Sequence, residues 1–67
     1  MDNYTKTTYF LQERGDNSRV LVQTFDNFRA AFKEACIRFL DENIILEVWK
    51  TTTTHIDGHD YTITQKA

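Results

Sequence analysis

The chain has no proline, only two glycines and a single cysteine. Without proline, its turns must be made by Gly, Asn and Asp, and no helix or strand is interrupted by a ring that lacks an amide proton. With Cys36 alone, no disulfide can form within the chain, which suits a reducing compartment. No apolar run approaches the ~20 residues of a membrane-spanning helix. Met1-Asp2-Asn3-Tyr4 carries neither the basic nor the apolar region of a secretory signal. The expected location is therefore the cytoplasm, with no membrane partner. A basic cluster is also missing: eight Lys and Arg stand against ten Asp and Glu, for a net charge of −2. Duplex nucleic acid is held chiefly through Lys and Arg on phosphates, so this balance disfavours a phosphate-tracking surface. Disorder is excluded on the opposite ground, because aromatic and β-branched residues are plentiful and charge is balanced.

What the chain does have is one apolar stripe. Phe28, Ala31, Phe32, Ala35, Cys36, Phe39 and Leu40 recur at the spacing of one helical face. The reading is a helix over about 27–42, with Asp26 as N-cap, an end near Asn43, and the stripe, Cys36 included, packed in the core. On either side lie runs that read as β-hairpins. Strands are expected over about 5–14 and 19–25, joined by Gly15-Asp16-Asn17-Ser18. A second pair is expected over about 44–56 and 59–66, joined by Asp57-Gly58, the strongest short hairpin signal. The fold class is α+β in the order β-β-α-β-β. The hairpins join edge to edge into a four-stranded antiparallel sheet, with the helix on one face, as a single domain over 1–67. A chain of this length buries only about 60% of its unfolded surface, so its stability is expected to be marginal.

Alternation assigns the faces. In the first hairpin, Leu11 is set opposite Val22 and Glu13 opposite Val20. That gives Tyr9, Leu11, Val20 and Val22 to the helix, and leaves Phe10, Leu21 and Phe25 outside. In the second, Asp57-Gly58 pairs Ile56 with His59, Thr54 with Tyr61, Thr52 with Ile63 and Thr51 with Thr64. Leu46, Val48, Tyr61 and Ile63 then face the helix, while Ile45, Glu47, Trp49, Thr51, His55, Asp60 and Thr62 face away. A slip of one residue would reverse every one of these positions.

No catalytic or metal motif stands out. His55-Ile56-Asp57-Gly58-His59-Asp60 concentrates possible ligands, but the two histidines have opposite parity across the turn. The four-atom convergence of a zinc site is not set up. His55 and Asp60 lie opposite one another and can pair. Thr62 nearby is the one hydroxyl close to a base, an arrangement common on strand surfaces. A body this small is expected to lack a pocket of ligand size. The expectation is a protein that is not an enzyme and has no cofactor.

The uncovered side of the sheet is the expected contact surface: Phe10, Leu21, Phe25, Ile45 and Trp49 among threonines such as Thr51 and Thr62. Aromatics gathered on an exposed face suit an interface. The partner expected is another protein or a second copy of the chain. Single-stranded nucleic acid stacking on the aromatics is the alternative, opposed by Glu47, Asp60 and the acidic total. The run Thr51 to Thr54, if it lies at an edge, offers a further route by accepting a strand. In size, acidity and element order the chain resembles small accessory proteins of phages and other mobile elements, some anti-CRISPR inhibitors among them. That resemblance implies binding to a host protein complex, and it covers no particular residues.

Overall fold

The computed structural model describes residues 3–15 and 20–67, with the side chains of Val20, Leu21 and Val22 outside the described set. The elements are β1 (Tyr4–Glu13), β2 (Val20–Phe25), α1 (Phe28–Glu42), β3 (Leu46–Ile56) and β4 (His59–Lys66). The strands form one four-stranded sheet in the order β2-β1-β3-β4, each neighbour antiparallel, with α1 packed on it. The expected element order and fold class are those observed. The threonine run of β3 is central, between β1 and β4, so the expectation that it lies at an edge and accepts a strand fails. Its β-branched residues suit that position, where both ladders are filled.

The second hairpin forms as its turn dictates. Asp57 (φ 51°) and Gly58 (φ 81°) are both left-handed, the geometry of a type I′ turn. The register runs from Ile56 opposite His59 through Thr52 opposite Ile63 to Trp49 opposite Lys66. β1 and β3 then pair without interruption from Tyr4 opposite His55 to Glu13 opposite Leu46.

The first hairpin departs from expectation. Tyr9 stands opposite Phe25 and Phe10 opposite Thr24, then Gln12 opposite Val20, with an irregularity between Phe10 and Gln12. The expected pairs of Leu11 with Val22 and Glu13 with Val20 are not made. A longer polar connection does not pin register as a two-residue turn does, and a bulge absorbs the slack. Phe25 consequently shares the helix side with Tyr9 and packs against the core, so its expected place on the open face is corrected. Of the expected turn Gly15-Asp16-Asn17-Ser18, residues 16–18 lie outside the described residues, as does residue 19, where the second strand was expected to begin.

The helix starts one residue later than the Asp26 cap would require. Asn27 is extended (φ −146°, ψ 160°), and its side-chain oxygen accepts a 2.8 Å hydrogen bond from the Ala30 amide. Asn and Asp cap equally well, so backbone conformation decides between adjacent candidates. At the other end Asn43 takes the left-handed conformation (φ 56°, ψ 37°) and its amide donates to the Phe39 carbonyl at 3.0 Å. Asparagine tolerates that region better than most side chains.

Only part of the apolar stripe reaches the core. The buried cluster is Leu11, Ala31, Ala35 and Val48, with Tyr9, Phe25 and Leu46 packed against it. Phe32 is 53% exposed and Leu40 80% exposed; Phe28, Phe39 and Cys36 are exposed as well. The two alanines form the line of contact. Large side chains cannot occupy that line at close approach, so they splay to one flank. On the other flank Arg38 donates to Glu34 at 2.8 Å and to Glu42 at 2.9 Å. These bonds, the one to Glu34 foremost, hold the guanidinium pKa above its ordinary value. Cys36 is therefore not a core residue. The helix packs on β1, β2 and β3 and does not reach β4, which is exposed along its whole length.

Candidate functional site

Two surfaces remain for contact, one on each side of the sheet. On the open side the register sets Phe10 directly opposite Trp49, both half-buried, and Thr51 opposite Thr64. Trp49 thus points away from Val48 and the helix, the parity the sequence implies. This face is largely occupied by its own pairs. Thr51 and Thr64 hydroxyls lie 3.3 Å apart, as do those of Thr53 and Thr62. Lys66 Nζ donates to Glu47 Oε2 at 2.7 Å. His55 Nδ1 lies 2.6 Å from Asp60 Oδ1, and the Tyr4 ring stacks on the imidazole with centroids 5.1 Å apart. Trp49 Nε1 is covered and has no acceptor among the described residues.

Ile45 does not join this face. β3 begins at Leu46, because the left-handed turn at Asn43 delays the strand and alternation does not extend back to Ile45. The Ile45 carbonyl accepts from the Arg14 amide at 2.9 Å, and its side chain lines a groove on the helix side. Of the seven residues expected together, the structure brings Phe10, Trp49, Thr51 and Thr62 to one face and sends Phe25 and Ile45 to the other. The Leu21 side chain lies outside the described residues.

The groove on the helix side was not expected. It encloses about 490 Å³ between the apolar flank of α1 (Phe32, Cys36, Phe39, Leu40) and the chain at Ile45 and Leu46. That volume falls within the range of ligand sites, contrary to the expectation for so small a body, although the groove is open to solvent. Among the described residues, Cys36 is the one ionisable side chain in its lining, and the groove offers shape and apolar area. Farther along the same side of the sheet, Tyr61, Ile63 and Ile56 stand exposed where no helix covers them. The signal for this surface was present in the sequence. A stripe of four large apolar residues and two alanines is wider than a short sheet beneath one helix can hide.

The His55 cluster does not gather into a reactive centre. His55 is paired with Asp60, while the Thr62 hydroxyl lies against Thr53. Among the described residues, no group of three His, Cys, Asp or Glu side chains is placed to hold a metal. No described helix is long and apolar enough to cross a membrane.

No protein-family model matches the chain, and neither a curated protein nor a solved structure shows significant similarity to it.

Proposed function

We propose that the chain is a non-enzymatic protein-binding module whose principal contact surface is the apolar groove beside α1. The observation that carries this reading is the exposure of Leu40 (80%) and Ile63 (64%) on the same side of the sheet as the groove. Exposed large apolar side chains gathered beside a groove and bordered by polar residues are characteristic of protein contact sites. The open face, which the sequence favoured, supports the reading less strongly, because Phe10 and Trp49 are half-buried, Tyr4 is stacked on His55, and its threonine, Lys66–Glu47 and His55–Asp60 side chains are paired with one another. Single-stranded nucleic acid is disfavoured by Glu47 and Asp60 on that face. The unpaired Cys36 suits work in the reducing cytoplasm.

A photoreactive phenylalanine analogue placed at position 40, expressed in the source cells, tests this. The expected result is a discrete protein adduct from position 40 and none from position 41, an exposed polar site turned away from the groove. Equal labelling from both positions, or none from position 40, overturns the proposal.

A further inference from the structure

Resting on that reading, we infer that the occupant of the groove is a second copy of this chain. The first argument is area. A compact monomer of this mass exposes roughly 4,400 Å². This chain exposes 5077 Å². The surplus, of roughly 700 Å², is close to the ~800 Å² that each partner contributes to a standard interface.

Shape is the second argument. The molecule extends 46 × 22 × 17 Å with a radius of gyration of 13.8 Å. A compact chain of this length has a radius of about 11 Å. The excess arises because α1 covers one part of the sheet while β3 and β4 run on beyond it. The uncovered part of the sheet is a shelf that lacks a helix, and a second copy carries one.

The third argument is self-complementarity. Each protomer has two apolar patches on the same side of its sheet. One is the helix flank with Phe32 and Leu40; the other is the strand shelf with Tyr61 and Ile63. About a two-fold axis, the flank of one protomer covers the shelf of its partner, and reciprocally. That is the requirement of an isologous interface. Charge does not oppose it. The acidic residues of α1 nearest the core, Glu34 and Glu42, are bound to Arg38 on the other flank, away from the groove. Arg29 and Lys33, at helical spacing from Cys36 and Leu40, and Lys50 between Val48 and Thr52 border these patches, so the acidic charge of the chain lies outside them.

Sedimentation of the full chain at rising concentration, up to about 100 µM, tests the inference by mass action. The expected parent species is a dimer. Leu40→Asp and Ile63→Asp each weaken it by at least about tenfold, as interface anchors do. Ile37→Asp, on the polar side of the helix, leaves it intact. Because Leu40 and Ile63 are exposed in the protomer, neither change threatens the fold, and unaltered far-UV circular dichroism verifies this. Cys36 in the groove supplies a second readout: its reaction with a thiol reagent slows as the parent concentration rises, and does not in Leu40→Asp. A parent that stays monomeric throughout, or variants that dimerise as tightly as the parent, overturns the inference. A monomer whose position 40 still captures another protein in cells overturns the dimer alone and leaves the binding-module reading standing.

Discussion

At the scale of single residues, volume and position along the helix matter more than hydrophobicity. Ala31 is fully buried while its neighbour Phe32 is 53% exposed, although both belong to one stripe in the sequence. Periodicity identifies the stripe but weighs its members equally; the sheet admits only the small ones at the line of closest approach. Ala31→Leu should therefore overpack the contact and cost about 1–3 kcal/mol. Phe32→Ser should cost clearly less in a dilute, monomeric sample. Urea denaturation of both variants checks the contrast, and the opposite ranking would show that Phe32 is a core residue. Leu11, fully buried in a core of few residues, is the largest side chain to lose: Leu11→Ala should cost about 2–5 kcal/mol, enough to unfold a domain this small. The helix cap is a third residue-scale case. Asn27→Ala removes the acceptor for the Ala30 amide and should cost about 1 kcal/mol, whereas Asp26→Ala should be close to neutral.

At the scale of elements, the two hairpins show what makes register legible. Asp57-Gly58 leaves one turn geometry, and every pair from Ile56–His59 to Thr51–Thr64 follows from it. The connection before β2 has no such constraint. There the alternation of side chains offers two answers, and the bulge between Phe10 and Gln12 gives a third that a regular ladder does not contain. Phe25 moved faces for that reason, and Ile45 moved because a helix cap consumed the residues expected to begin β3. The order β2-β1-β3-β4 was open in the sequence, since either strand of each hairpin can serve as the inner one. The turn itself is testable. Gly58 has open space around it, so a substitution there meets no steric neighbour, only its left-handed backbone. Gly58→Ala should cost about 1 kcal/mol through φ alone, while Asp57→Asn, equally tolerant of that region, should change little. Thermal unfolding of the two variants measures the difference.

At the scale of the whole molecule, a buried cluster that among the described residues comprises Leu11, Ala31, Ala35 and Val48 sits within an extended sheet whose outer strand has no helix over it. Such a core supplies little of the apolar burial that ordering the chain requires. Association removes further apolar surface from water and stabilises the folded state by mass action. Stability should therefore depend on concentration. The urea midpoint of the parent should rise as the chain is concentrated over two orders of magnitude, by the equivalent of about 1.4 kcal/mol per mole of dimer, or about 0.7 per protomer, for each tenfold step once dimer predominates. The midpoint of Leu40→Asp should stay fixed over the same range, with a denaturant slope near that of the parent at its most dilute, because the slope follows the surface exposed by each protomer on unfolding. A parent midpoint independent of concentration would mean that the small core and the cross-strand pairs of the open face suffice on their own.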